Sequence, residues 1–259
     1  SIDFRNLINV KTKHTDLFNI ANKYVKTYIV HNENNISEID DVIERDRIKV
    51  VQIGYYDLKP ISKEEIDNVR EKLGLKDKKI IATHGYMVPH KGHDLIAESL
   101  NILKDNGEYI FLNIGAFSEV NSQSVIAKQS LNDLIAKYSL QDRYIHISSF
   151  LTQEEIYKLL CISDIIVFPY KKNNESASGA VRNALLTDVP VLVSNEKVFD
   201  DIRDYVITLD SIDPKVIAEN ILKHIGDKSS EQLVQRKEYI SKNHYSDKMR
   251  EIINSIYNG

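Results

Sequence analysis

Short runs of apolar residues alternate with longer amphipathic stretches over most of the chain. Six runs rich in β-branched and aromatic residues read as buried strands: 79–83, 109–114, 144–148, 164–168, 189–194 and 205–209. Helical patterns fall between them at about 92–103, 122–138, 152–161, 179–187 and 198–203. Ser62-x-x-Glu65 and Thr152-x-x-Glu155 have the form of capping boxes, so a helix is expected after each. Asp213-Pro214 places an N-cap residue before a proline at the first helical position. Strand–helix alternation of this kind predicts an α/β fold, a doubly wound parallel sheet of six strands with helices on both faces. The near-continuous apolar character of the runs agrees, because both faces of such a sheet are buried.

The first 58 residues have a different texture. Two strand-like runs, 25–30 and 48–53, each follow a helical pattern, at about 15–23 and 35–45. Gly54-Tyr55-Tyr56-Asp57 reads as the turn that closes this piece. Two strands cannot form a doubly wound sheet, so 1–58 is expected to be the remnant of another α/β domain. The main domain is expected over 59–236. Two helices hinged near Asn243-His244-Tyr245 finish the chain, and 237–259 is expected to be a crossover helix.

Composition narrows the classes. A net charge of −4 and a pI near 6.1 exclude a general nucleic-acid binder. The single cysteine, Cys161, excludes an intrachain disulfide and fits a reducing compartment. No apolar run approaches the ~20 residues of a membrane span. A cytoplasmic location follows as the expectation. The chain begins Ser1-Ile2 without methionine, which suggests a processed or truncated product.

The chemistry gathers around two loops. The stretch Glu175-Ser-Ala-Ser-Gly-Ala-Val-Arg-Asn183 follows a strand, and Ser176 or Ser178 can cap the helix it opens. The amides near Ser178, Gly179 and Ala180 would then form an anion site beyond the carboxyl end of a strand. A plain strand–loop–helix joint is the alternative. The other loop, Gly85-Tyr-Met-Val-Pro-His-Lys-Gly92, is neither a P-loop nor a dinucleotide fingerprint. It nevertheless puts Lys91 at a helix start, where it can meet a phosphate or remain solvated. Glu175 can accept hydrogen bonds from sugar hydroxyls or sit on a loop surface. His84 ends a strand at the same mouth or is a hydrogen-bonded core histidine. His90 and His93 share helical spacing, but no third ligand is fixed nearby, and no Asp-x-Asp occurs in the chain. No metal is therefore expected.

In this order and spacing, the Gly-x5-Lys-Gly loop, the Phe150 turn with Thr152 and Glu155, the Asp164–Pro169 strand and the Glu175–Pro190 block resemble a known family. It is the donor-binding domain of GT-B-fold retaining glycosyltransferases of the family 4 type, whose domain is Rossmann-like. The resemblance covers about 25–257. It implies a hexosyltransferase of the kind used in polysaccharide biosynthesis, moving a sugar from a nucleotide diphosphate sugar to a glycan or lipid-linked acceptor. Transfer would proceed with retention, without metal or other cofactor. Lys91 and Glu175 would be the catalytic residues. Gly85, Tyr86, Lys91, Ser178, Gly179, Ala180 and Val181 would hold the donor diphosphate, with Glu175 on the donor sugar. Asn183, Ser149 and Phe150 would meet the ribose and base, and His84, His90 and Arg182 are further candidates. Three positions depart from the family: Asn183 replaces a second glutamate, Tyr86 an arginine and Asp188 a glycine. Arg182 is the candidate for the missing positive charge.

The resemblance also implies a fuller N-terminal domain carrying the acceptor site, with peripheral membrane association through that domain. The chain as given is expected to bind donor and turn over little. Two other readings are a non-catalytic sugar-nucleotide-binding or interaction module, and a GT-B-fold sugar-nucleotide epimerase with its own acid–base groups.

Overall fold

A computed structural model describes residues 22–40, 43–103, 108–173, 175–228 and 231–257. The chain divides into two units, 1–57 with 174–177 and 242–259, and 58–173 with 178–241.

The larger unit is built on six parallel strands: β3 (Lys79–His84), β4 (Tyr109–Ile114), β5 (Tyr144–Ile147), β6 (Ile165–Phe168), β7 (Val191–Val193) and β8 (Ile207–Thr208). Their order in space is β5-β4-β3-β6-β7-β8. The chain therefore leaves β3 toward one edge, then returns to lay β6 on its other side, with Ile81 beside Ile165 and Ala82 beside Ile166. That reversal leaves a crevice beyond the carboxyl ends of β3 and β6, where ligands of open α/β sheets bind.

Both faces of the sheet are dry. Ile81, Phe111, Ile165, Val167 and Leu192 pack on one face with Ile96, Leu100, Leu131, Ile217 and Ile221. The alternate residues Ile80, Ala82, Leu112, Ile166, Phe168 and Val193 are equally buried, and strand geometry turns them to the other face. The helices are α1 (Lys63–Lys72), α2 (His93–Ile102), α3 (Ser122–Lys137), α4 (Gln153–Cys161), α5 (Gly179–Leu185), α6 (Pro214–His224) and α7 (Glu231–Ser241). α2 packs on α3 and α6, while α4 packs on α5. Both capping boxes form: the Ser62 and Thr152 hydroxyls take the Glu65 and Glu155 amides, and each glutamate returns to the cap backbone. Asp213 caps α6 with Pro214 at its first position. Cys161 is buried, and its thiol is pushed up to about 11, first by burial.

In the smaller unit, β1 (Tyr28–Val30) and β2 (Ile48–Val50) pair in parallel over a core of Tyr28, Ile36, Ile39, Ile43 and Ile48. The expected strands 25–30 and 48–53 are each reduced to three residues. The helix expected over 35–45 is corrected. Among the described residues that span holds 3₁₀ turns at Glu33–Glu38 and Arg45–Arg47, the first capped by the Asn32 side chain. The helix expected at 15–23 falls mostly outside the described residues. The last helix, α8 (Tyr245–Tyr257), is fastened to the 54–57 turn. Tyr55 N–H donates to Asn243 O and Tyr245 N–H to Tyr55 O, and the Tyr56 and Tyr245 rings stack at 5.2 Å. Met249, Ile253 and Ile256 of α8 are exposed. No helix among the described residues is long and apolar enough to cross a membrane.

Candidate functional site

The loop after β3 is held by backbone contacts too close for any side chain. Gly85 has φ +130° and donates to Ile114 O, and a Cβ on Gly115 would lie 2.0 Å from Gly85 O. Met87 N–H donates to Ala116 O, and its side chain is fully buried. Pro89–Lys91 makes one 3₁₀ turn, which ends at Gly92 with φ +71°. A Cβ there would stand 2.2 Å from Pro169 O, so the loop lies directly on the end of β6. Lys171 N–H donates to His90 O and closes the same contact.

These constraints deliver Lys91 to one place. It is only 8% exposed, unusual for a lysine, and its Nζ lies 4.0 Å from the centroid of the Tyr170 ring. His90 meets the same ring edge-on. The Tyr170 hydroxyl is 3.0 Å from Ser178 Oγ. Ser178 is the N-cap of α5 and accepts from Val181 N–H. Lys91, Tyr170, Ser178 and the first turn of α5 thus form one continuous contact at the carboxyl edge of the sheet. A Cβ on Gly179 would meet nothing within 4 Å, so its surroundings are open, whereas one on Gly85 would touch Ala180 Cβ at 3.3 Å. Tyr86 is partly exposed beside this loop.

His84 lies at the end of β3. Its Nδ1 is 2.8 Å from Ile114 O and its Nε2 is 3.2 Å from Asn183 Nδ2. Burial lowers its pKa; the Ile114 carbonyl opposes that shift and the Lys91 charge adds to it. His93, which shares helical spacing with His90, is enclosed at the start of α2 with neither ring nitrogen hydrogen-bonded. Its pKa falls to about 4, chiefly through burial. Among the described residues no three His, Cys, Asp or Glu side chains gather to hold a metal.

Arg182 is the clearest correction. It does not supply charge to the loop. Its guanidinium is buried, pairs with the carboxylate of Asp201, and donates from Nη1 to Ser178 O at 2.9 Å. Asp188 pairs with Lys237, and buried Arg236 donates to Thr187 O and Val189 O, tying down the chain after α5. Ser149 and Phe150 follow β5 and are exposed, Phe150 by 93%. Glu175 falls in the 174–177 stretch that belongs to the smaller unit. Sequence reasoning missed Tyr170, whose signal was its position as the polar end of the β6 run, and Asp201, which carried none.

The profile of a protein family described as "Glycosyl transferases group 1" matches residues 65–245. No curated protein matches the chain. Among solved structures, HepE from Anabaena in complex with UDP and glucose superposes with a TM-score of 0.79 at 14% identity, over 93% of this chain and 65% of that one. A glycosyltransferase from Rickettsia africae gives 0.73 at 18%, over 92% and 67%. A sucrose-phosphate synthase from Thermosynechococcus elongatus gives 0.72 at 12%, over 97% and 66%. These likenesses establish the GT-B fold. The chain spans about two thirds of the length of each.

Proposed function

The chain belongs to the glycosyl transferases group 1 family, and from that membership we propose that it is the donor-binding part of a retaining, metal-independent glycosyltransferase. The donor is a nucleotide diphosphate sugar, and the acceptor a glycan or lipid-linked sugar. One observation supports this best: buried Lys91 stacks over Tyr170, whose hydroxyl reaches the cap of α5, at the crevice between β3 and β6.

The chemistry asks for this arrangement. When the bond from the anomeric carbon to the diphosphate breaks, negative charge grows on the departing phosphate. A fixed cation and backbone amides stabilise that charge without reorganising. Lys91 fills the first role, with the amides of Ser178, Gly179 and Ala180 beside it; the Gly85 and Val181 amides, expected to join them, are already given to Ile114 O and Ser178 Oγ. Glu175 holds sugar hydroxyls, and Asn183, Ser149 and Phe150 take the nucleoside. The substitutions at Asn183 and Tyr86 favour a second reading, a module that binds a nucleotide sugar without transferring it.

Calorimetry tests the first reading with UDP, the nucleotide that HepE holds in its crystal structure. Lys91→Ala should weaken UDP binding by about 1.5–3 kcal/mol, the range for a hydrogen bond to a charged group. Glu175→Ala should weaken UDP-glucose more than UDP. Equal losses for both ligands would remove Glu175 from the sugar. Unchanged UDP affinity in Lys91→Ala would remove the diphosphate from the loop. Binding without turnover in a chain with its full N-terminal region would favour the module.

A further inference from the structure

His84 and Asn183 come from β3 and α5, 99 positions apart, yet their side chains meet. The geometry fixes which atoms carry protons. A backbone carbonyl only accepts, so the 2.8 Å contact with Ile114 O requires the proton on His84 Nδ1. In a neutral ring Nε2 then has only a lone pair to offer. The Asn183 amide at 3.2 Å must therefore turn its NH₂ toward the ring. Its oxygen faces the other way and, among the described residues, accepts no hydrogen bond. Turning the amide over would set two acceptors against each other.

We infer that His84 is a positioning residue that holds the Asn183 amide with its oxygen outward, so that the site presents a hydrogen-bond acceptor to a ligand hydroxyl. This rests on the reading that Asn183 meets the nucleoside. A glutamate would accept through either oxygen and need no such partner. An asparagine has one acceptor and one donor end, and something must choose between them. The ring stays neutral because it is buried and because Lys91, on the Pro89–Lys91 turn, is the charged group that acts on it. On α5 the neighbouring charge, Arg182, is taken by Asp201. The consequence is selectivity: a ribose hydroxyl can donate to Asn183, and a nucleotide lacking the hydroxyls cannot.

The experiment titrates the whole chain with UDP and with 2′,3′-dideoxy-UDP. The wild type should prefer UDP by roughly fivefold, the worth of one ordinary hydrogen bond. His84→Phe, which has no ring nitrogens, should bring that ratio to about one. His84→Gln, whose amide oxygen can accept from Asn183, should restore most of it, a rescue that a merely structural role would not give. If His84→Phe fails to fold, ¹⁵N spectra of histidine-labelled wild type decide the matter by reporting the tautomer. Protonated Nδ1 supports the inference, and protonated Nε2 overturns it. A fivefold ratio surviving in folded His84→Phe overturns it, as does a wild type that binds both nucleotides equally while the nucleotide reading stands. A wild type that binds neither removes the functional reading itself.

Discussion

Replacing Arg182 by methionine separates a structural cation from a ligand-binding one. The Arg182 and Asp201 side chains are 3% and 4% exposed, so deleting the guanidinium strands a carboxylate away from water. Removing one partner of a buried pair costs about 3–5 kcal/mol. Asp201 can limit that cost by taking up a proton. From an ordinary carboxyl value of 3.8, holding the acid form at pH 7 costs about 4 kcal/mol, since each pH unit is worth about 1.4. Burial already pushes its pKa upward, against the pull of Arg182. Ser178 O also loses a donor, so a loss near 4 kcal/mol is expected at neutral pH. Against a total stability of about 5–15 kcal/mol the change is large. The sign with pH follows. Without Arg182 the folded state prefers Asp201 protonated, so the variant's deficit should shrink as pH falls toward 5. Arg182→Met with Asp201→Leu should recover most of the loss, because an apolar pair needs no charge partner. Urea unfolding followed by circular dichroism at pH 7 and pH 5 measures all of this. A single variant losing under about 1 kcal/mol, or a deficit equal at both pH values, would refute the buried-pair argument. The double variant also tests the discarded role: its UDP affinity should match the wild type, and a tenfold drop would return Arg182 to the ligand.

Gly92→Ala should destabilise the larger unit by at least about 2 kcal/mol, through its left-handed φ and the 2.2 Å approach to Pro169 O, and lower the melting midpoint by several degrees. A variant as stable as wild type would show that the loop can yield. His93 titrates near 4 when folded against 6.5 when unfolded, so its contribution is complete above about 6.5 and is lost as pH falls toward 4. The shift corresponds to about 3 kcal/mol, and His93→Phe should flatten stability against pH in that window. EDTA should leave UDP binding unchanged, and loss of binding restored by Mg²⁺ or Mn²⁺ would count against a lysine doing the work of a metal.

Much of the framework was legible because its causes are local. Capping boxes at Ser62 and Thr152 span four residues, and Asp213-Pro214 needs only two. Strand–helix alternation carries the parallel sheet because short connections leave few ways to bury both faces. The errors came where local pattern was too weak or the partner too distant. Residues 35–45 have apolar spacing compatible with a helix, but the Asn32 side chain caps a tighter turn there instead. Nothing local marks Arg182 as a paired charge, because its partner Asp201 lies nineteen positions away on another element. Tyr170 joins Lys91 to Ser178 across a strand order no single-chain pattern displays.

The packing of Lys91 has a consequence for the thermodynamics of recognition. A lysine on a surface loop samples many rotamers, and fixing them when an anion arrives costs up to about 2 kcal/mol. Here that freedom has already gone, because the ammonium rests on Tyr170 at the end of a turn clamped between Gly92 and Pro169. Whatever anion the loop receives meets a cation whose disorder was lost on folding, so its binding should carry a smaller entropic penalty than the same contact from a mobile lysine.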